Sequence, residues 1–271
     1  MTQTEAKNSY PEDPGEAVEK IIERHGSLLY SLGLKFCGNE WEAEDLVQET
    51  MINAFKGWES FEGRSKVTTW LYTIASRVCQ KIHRKKVGEP LYIESLQELV
   101  PLNAKDFAKT ASELDSLELA EVKKESLEKI ERGISQLPLE FRMPLILKDV
   151  VGMTGPEISR IMEIEEGTVK SRVHRARLKL RKIVDSLMPR MEIEPPPVQY
   201  SVEVCLDLLN AKQSAIDNNV EFTSDIICLR CQSVFDSLDI AHDVCSRIAS
   251  NEIPDGLLDR IKEKIGRNKD S

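Results

Sequence analysis

The segment from Glu166 to Arg190 concentrates positive charge in a chain that is acidic overall. It holds eight Lys and Arg against one Glu and one Asp, whereas the whole chain of 271 residues has a formal net charge of −9. A helix of this kind suits a phosphate backbone, because cations that neutralise phosphates release condensed counterions. The segment therefore predicts nucleic-acid binding, and an ordinary solvated cationic face is the plainer alternative.

The spacing around this segment is typical of a helix-turn-helix. Thr154 and Glu157 have the spacing of a capping box, and Ile164 is expected in the turn before a second helix that begins near Glu166. The start of such a second helix reaches base edges in the major groove, while flanking cations contact phosphates. The inward face is predicted to be Val169, Val173, Ala176 and Leu180. The predicted DNA contacts are Thr168, Lys170, Ser171, Arg172, His174, Arg175 and Arg177, with Lys179 and Arg181 as further phosphate contacts.

Four of the six cysteines fall in the last third of the chain. C-x-x-C and H-x-x-C spacings each place two side chains about one helical turn apart. Cysteine and histidine together suit a tetrahedral zinc ion. The candidate metal ligands are Cys205, Cys228, Cys231, His242 and Cys245. The alternative is that these cysteines are small apolar core residues, which is also our interpretation of Cys37 and Cys79.

Apolar periodicity predicts an all-α fold. Helices are expected at 14–36, 40–58, 65–86 and 116–136, and Pro138 suits the start of another. Pro144 should kink that helix. The predicted organisation is two helical domains joined by a linker, plus a small helical C-terminal module. The boundaries are 14–87 for the first domain, 88–124 for the linker, 125–188 for the second domain and 200–266 for the module.

Composition and motifs exclude several classes of protein. The chain is 41% hydrophobic and 31% charged, as in ordinary globular proteins, and it lacks a run of 18 apolar residues. Its polar N-terminus does not have the apolar core of a secretory signal, so a cytoplasmic location is expected. It has no phosphate-binding glycine loop, H-E-x-x-H motif or nucleophile elbow, so we do not expect an enzyme.

Two long stretches resemble one protein family. The second domain carries LPLEFRMPLILKDVVGMTGPEISRIMEIEEGTVKSRVHRARLKLR, which resembles region four of bacterial RNA polymerase sigma factors. Upstream stand WEAEDLVQETMINAFK and FEGRSKVTTWLYTIASRV, which are similar to region two. The subgroup that the chain resembles is the extracytoplasmic-function one. The two resemblances cover about 15–87 and 125–187, in the order that the family has them.

The resemblance implies a promoter-specificity subunit that binds core RNA polymerase and promoter DNA and needs no cofactor. Region two would dock on the polymerase and hold the melted minus-ten element, and region four would read the minus-thirty-five element. Trp70 lies in an apolar stripe and is expected to be core. The implied polymerase contacts are Asp45, Gln48 and Glu49. The implied minus-ten contacts are Arg64, Lys66, Arg77, Lys81 and Arg84. A stand-alone helix-turn-helix regulator is the alternative.

The C-terminal region resembles a degenerate zinc-binding anti-sigma domain. Its C-x18-S-x3-C-x2-C run has Ser224 where such domains carry histidine. From Met191 onward, 15 acidic residues stand against 8 basic ones. The resemblance and the charge suggest a tethered regulator that covers the DNA- or polymerase-binding faces and responds to metal or redox state. A separate anti-sigma partner stays open, and zinc is a candidate cofactor of this region alone.

Overall fold

The computed structural model describes residues 7–83, 94, 99, 108–191, 199–248, 254 and 256–269. The chain divides into two compact units. The first unit comprises residues 1–89, 154–166 and 249–271. The second comprises residues 90–153 and 167–248.

The first unit is built on three consecutive helices that pack on one another: α1 (Pro14–Cys37), α2 (Glu40–Gly57) and α3 (Val67–His83). Gly38 ends α1 in the left-handed region at φ 82°, which glycine adopts without steric cost. Asn39 then caps α2 by accepting a hydrogen bond from the backbone N–H of Glu42 at 2.9 Å. The predictions of α1 and α2 are confirmed to within a residue at each end. The third predicted helix begins two residues later than expected, and its predicted end lies outside the described residues.

The helices of the first unit approach closely and enclose an aromatic cluster. A Cβ at Gly33 would lie 3.2 Å from the Cα of Ala43, so any larger residue would push α1 and α2 apart by a few tenths of an ångström. Trp58 is 1% exposed and donates from its indole N–H to the carbonyl of Pro11. Trp70 is half-buried and stacks on Phe61, with ring centroids 4.7 Å apart. Trp70 is therefore packed against protein on one side only, and its predicted place in the core is met in part.

Two further helices belong to the first unit, α6 (Gly155–Met162) and α10 (Leu257–Lys269). Thr154 donates to the carboxylate of Glu157 from both its backbone N–H and its hydroxyl, at 2.9 and 2.7 Å. This is the predicted capping box. α6 ends at Glu163 in the left-handed region, so a turn follows at the predicted position. α6 packs on α3, and α10 packs on α1 and α2.

The second unit contains α4 (Ser116–Gln136), α5 (Leu139–Leu145) and most of α7 (Glu166–Leu187). The predicted effect of Pro144 is confirmed, because α5 ends at Leu145 and a wider π-helical turn, Ile146–Val150, follows. Proline has no N–H to donate to the preceding turn, so regular α-helical bonding cannot continue there. Two helices from the C-terminal part of the chain complete the unit: α8 (Val202–Asp217) and α9 (Leu229–Ser246).

The fold class is all-α. In the described ranges the only β feature is an isolated antiparallel bridge between Ala108 and Arg190. None of the helices in the described part of the chain has the length and apolar character to cross a bilayer. The range 200–266, expected to be one module, is distributed over both units, since α8 and α9 belong to the second and α10 to the first. The apolar faces of these helices pack on earlier parts of the chain rather than only on one another.

Candidate functional site

The cationic helix α7 presents only part of its predicted outward face. Its predicted inward residues are all buried, at 3% exposed or less. Near its N-terminal end, Lys170, Ser171 and Arg175 are exposed, and Thr168 and Arg172 are half-buried. His174 and Arg177, however, are 6% and 2% exposed. These two predicted DNA contacts are covered by other parts of the second unit.

Arg177 is held between two carboxylates. Its Nε and Nη2 donate to the two oxygens of Asp149, in the π-helical turn, at 2.8 and 2.6 Å. Oδ1 of Asp217, from α8, lies 2.8 Å from its Nη1. Burial by itself lowers the pKa of Arg177, but Asp149 and Asp217 outweigh it and raise that pKa. Arg177 is therefore charged and already neutralised, so its predicted phosphate contact is not available in this conformation.

Asp217 contacts a second predicted DNA-binding residue. Its Oδ2 lies 3.1 Å from Nε2 of His174, and its carbonyl oxygen accepts a hydrogen bond from Lys148 at 3.1 Å. A carboxylate at the last position of a helix is unfavourable unless cations surround it. Here burial raises the pKa of Asp217, but His174 and Arg177 lower it further, to about 2. The ionised carboxylate thus occupies a position on α7 where a phosphate could bind.

The next turns of α7 are covered by apolar side chains. Leu178 is 0% exposed and lies in one cluster with residues of α8 and α9. Arg181 is 2% exposed, and burial lowers its pKa. Its guanidinium lies 3.4 Å from both the hydroxyl of Ser237 and the carbonyl of Leu99. The predicted phosphate contact by Arg181 is therefore not available here either. The residues that bury Leu178 are Leu99, Cys205, Leu208, Leu209, Cys231, Val234, Phe235 and Leu238.

Two other predicted phosphate contacts on α7 have acidic partners. Arg172 donates to Glu140 at 2.7 Å, and Lys179 donates to Glu94 at 2.5 Å. Both pairs are partly exposed. Pairs of this kind are worth little in water, so they would exchange readily for a polyanion.

The predicted minus-ten contacts of the first unit are accessible. Arg64, Lys66, Arg77 and Lys81 are exposed, in the loop 61–66 and on α3. Arg64 forms an ion pair with Glu62, and Arg77 donates to Glu163 at 2.6 Å, both at the surface. Arg84 lies outside the described residues.

The predicted polymerase contacts on α2 are partly covered by α10. Asp45, Gln48 and Glu49 are half-buried. Nζ of Lys264 donates to Oε1 of Gln48 at 2.5 Å, and Arg260 pairs with Glu44. Three apolar residues of α10 spaced four apart are buried: Leu257, Ile261 and Ile265. The polar face of α2 is therefore shared between solvent and α10.

The five predicted metal ligands of the C-terminal region do not meet at one point, although the thiol of Cys231 interacts with those of Cys228 and Cys205. Cys205 and Cys231 belong to the apolar cluster around Leu178, with Cys228 beside it. Cys245 is buried in a different environment, close to Asp149 and Arg177. Nε2 of His242 lies 3.9 Å from Oδ1 of Asp149.

Burial raises the pKa of the Cys245 thiol, and burial together with the neighbouring thiols of Cys228 and Cys205 raises the pKa of Cys231 to about 12. The burial of Cys205 and Cys231 in an apolar cluster, and of Cys245 in the core, favours the packing interpretation. Across the described residues, one group of three ligand atoms lies within 4.8 Å of one another: Cys37, Cys79 and His83. Hydrogen bonding from Cys79 and the proximity of His83 lower the pKa of Cys37 to about 6, against the effect of burial. Sequence reasoning missed this group, although the Cys79-x-x-x-His83 spacing was visible.

Comparison with known proteins agrees with the arrangement of the two regions. The Sigma-70 region 2 family model matches residues 21–88, and the Sigma-70 region 4 model matches residues 127–180. The ECF RNA polymerase sigma factor SigW of Bacillus subtilis is 32% identical over 167 residues, which cover 62% of this chain and 88% of SigW. This chain belongs to the ECF sigma factor family.

Other members give similar matches. The ECF RNA polymerase sigma-E factor of Salmonella typhimurium is 30% identical over 177 residues, covering 65% of this chain and 90% of that protein. A solved structure of the sigma factor RpoE with the anti-sigma factor NepR from Bartonella quintana matches at 23% identity and a TM-score of 0.41. It covers 61% of this chain and 94% of that one.

As a sigma factor, the protein binds core RNA polymerase and promoter DNA and takes part in transcription initiation. It acts by binding and is not an enzyme. A stand-alone helix-turn-helix regulator is not favoured, because such a protein has no use for region two. Both family models stop by residue 180, so α8, α9 and α10 lie beyond them. We call residues 191–271 the C-terminal extension.

Proposed function

We propose that this sigma factor is regulated by its own C-terminal extension, which covers one binding face in each unit. In the active state α2 docks on core polymerase through Asp45, Gln48 and Glu49. The loop 61–66 and α3 hold the minus-ten element, and α7 reads the minus-thirty-five element. In this proposal 14–87 is the polymerase-docking and minus-ten domain, 88–124 is the linker, and 125–188 is the minus-thirty-five domain. The range 200–266 is the regulatory segment, whose helices divide between the two units. A cytoplasmic location follows from the partners, since polymerase and promoter DNA are found there.

The position of Asp217 is the observation that carries this proposal. Its carboxylate reaches both His174 and Arg177 on the predicted DNA-contacting side of α7. Such a buried contact needs each charge to be paired, because an unpaired buried charge is costly. The match between one acid of the extension and two cationic or titratable groups of α7 supports a specific contact.

Bulk reinforces this charge contact. A helix is about 10–12 Å wide, and the major groove that receives it is about 12 Å wide. Because α8 and α9 pack on Leu178 and Arg181, and the end of α8 reaches His174, the proposed closed state would obstruct the approach of α7 to the groove. The exposed Lys170, Ser171 and Arg175 would then be unable to reach base edges, even though their side chains are accessible.

On α2 the extension acts through α10. The contacts of Arg260 with Glu44 and of Lys264 with Gln48 occupy the side of α2 that carries the proposed polymerase contacts. Three buried apolar side chains anchor the helix there. Within one chain, the extension would do what a separate anti-sigma protein does between two chains. A short tether also gives it a high effective concentration.

The contacts of the C-terminal cysteines do not support a metal or redox trigger within the extension. Cys205, Cys231 and Cys245 are buried, and Cys245 lies apart from the other two, close to Asp149 and Arg177. The proposed regulation therefore rests on the contacts of α8, α9 and α10, and its release requires these helices to leave their faces.

Run-off transcription with core polymerase tests the proposal. A chain that ends at Arg190 should give about tenfold or more transcript than the full chain, because only the open state binds. The full-length variant Asp217→Arg should also gain activity, because it places a cation against Arg177. Asp239→Arg is the matched control, since Asp239 pairs with Lys212 inside the extension. Equal or lower activity of both the truncated chain and Asp217→Arg would refute the regulation while leaving the family assignment intact.

A further inference from the structure

We propose that Cys37, Cys79 and His83 form a binding site for Zn²⁺ inside region two. Cys37 is the last residue of α1, and Cys79 and His83 are one turn apart on α3. Residues four apart lie on the same face of a helix, so both α3 side chains can point toward the end of α1. The two sulfurs and a ring nitrogen lie within 4.8 Å of one another.

These separations suit a single tetrahedral ion. Zinc binds thiolate sulfur at about 2.3 Å and imidazole nitrogen at about 2.0–2.1 Å, which places two sulfurs about 3.8 Å apart. Small rotations of three side chains would bring the ligand atoms to that geometry. Two thiolates balance the charge of the ion, and one coordination position is left for water. Sulfur and imidazole ligands also disfavour Mg²⁺ and Ca²⁺, which prefer oxygen.

The surroundings favour retention of an ion. Cys79 is 0% exposed, and Cys37 and His83 are 6% and 7% exposed. An open cavity of about 400 Å³ lies beside the site, and Glu42, Val78 and Ile82 are among its lining residues. Val78 and Ile82 directly precede Cys79 and His83 in the chain, and the carboxylate of Glu42 would attract a cation. Glu42 thus brings a negative charge close to Cys37, at a site that is shielded from water.

A bound ion would connect the end of α1 to the second half of α3. That half of α3 carries Arg77 and Lys81, two of the proposed minus-ten contacts. The ion would thus position the DNA-binding side of region two, and this role does not depend on the contacts of the extension. The plainer alternative is a hydrogen-bonded packing cluster without metal.

Cobalt titration of the full chain distinguishes these interpretations. The reduced, chelator-stripped protein should bind one equivalent of Co²⁺, with the near-ultraviolet charge-transfer absorption of cobalt–thiolate bonds, and Zn²⁺ should displace it. Cys79→Ser should weaken binding by about tenfold or more, since even indirect partners of a metal contribute that much. Cys228→Ser, a half-buried cysteine of the extension, is the control and should leave the titration unchanged.

Folding controls keep this test decisive. Circular dichroism should show native helix content in each variant, and His83→Gln replaces Cys79→Ser if the latter unfolds. Zn²⁺ should raise the thermal midpoint of the wild-type chain but not of the site variant, because an ion that binds only the folded state stabilises it. Absence of Co²⁺ binding by the wild-type chain would overturn the proposal. Loss of the absorption in Cys228→Ser, or its persistence in folded site variants, would also overturn it.

Discussion

The two parts of the C-terminal extension contact their neighbours with opposite charge. From Val202 to Arg247, which includes α8 and α9, eight acidic residues stand against three basic ones. This part places Asp217 against His174 and Arg177 of the cationic helix α7. α10 has five basic residues against two acidic ones and places Arg260 against Glu44 of α2.

This difference shows that the net charge of the extension does not predict which surfaces its helices contact. The net negative charge of the extension suggested that it covers the DNA- or polymerase-binding faces by attraction to cations. Instead, each part complements the surface on which it packs. The two contacts also differ in burial, because the Asp217 contact is largely buried whereas the Arg260 side chain is 51% exposed. We therefore expect charge to matter most at α7 and apolar packing to matter most at α2.

Truncating the apolar anchor of α10 should have the largest effect. Ile261 is 0% exposed, and Ile261→Ala should destabilise the docked helix by about 3 kcal/mol, since it leaves a cavity and loses buried area. If docking of α10 limits access to α2, affinity for core polymerase should rise by up to about a hundredfold. A fluorescence-anisotropy titration with core polymerase measures this change. Val220→Ala, at a 59% exposed position of the extension, should have no effect.

Neutralising Asp217 should have the next largest effect, and it should act on DNA. Asp217→Asn removes the charge that pairs with His174 and Arg177, and should destabilise the contact of α8 with α7 by about 2 kcal/mol. Promoter DNA affinity at constant salt should then rise by about thirtyfold. Asp239→Asn makes the same charge change at a pair within the extension, and a gain as large in that control would contradict the comparison.

Acid should remove the stabilisation that the Asp217 carboxylate provides. The pKa of Asp217 is lowered from 3.8 to about 2 in the folded state. A lowered folded pKa contributes stability above the unfolded pKa, and that contribution is lost as pH falls from about 4 to about 2. The contribution amounts to about 2 kcal/mol. Urea unfolding followed by circular dichroism should show that the difference between wild type and Asp217→Asn disappears across this range. A difference that stays constant would show that the carboxylate is not the stabilising group.

Reversing the surface charge of α10 should have the smallest effect. Arg260→Glu breaks an exposed pair worth about 1 kcal/mol or less, so affinity for core polymerase should rise only a few-fold. The rise should be smaller at high salt, which screens the pair. Lys262→Glu is the matched control. It makes the same charge change on α10, but Lys262 pairs with Glu19 of α1, at 4.0 Å, and not with α2. An effect of Arg260→Glu larger than that of Ile261→Ala would reverse our ranking of charge and packing on α2.

Local features of the fold were predictable from sequence. Asp13, Asn39 and the Thr154–Glu157 capping box mark helix starts with side chains close in sequence, so the signals are readable without tertiary contacts. Apolar periodicity likewise identified the inward face of α7. The kink at Pro144 followed from the missing N–H of that residue.

The candidate site was predictable only in part. The cationic character of α7 was visible, but the partners of Arg177 come from 28 and 40 residues away in sequence, at Asp149 and Asp217. The periodicity of apolar residues along a helix does not indicate which residues so far apart in sequence will pair. The same limit explains the cysteines. Spacing alone favoured a metal site in the extension, whereas the group of three ligand atoms found among the described residues comes from α1 and α3.

The sequence by itself determined the helices, their caps, the all-α class and the two sigma-factor regions, because these depend on side chains within one or two turns of each other. The tertiary structure alone decided which cations of α7 stay exposed, that α10 packs on α2, and where cysteine and histidine side chains meet. The physical reason is that burial and charge pairing depend on which surfaces come together. Surfaces far apart in the chain carry no mark in the sequence of which other surface will cover them.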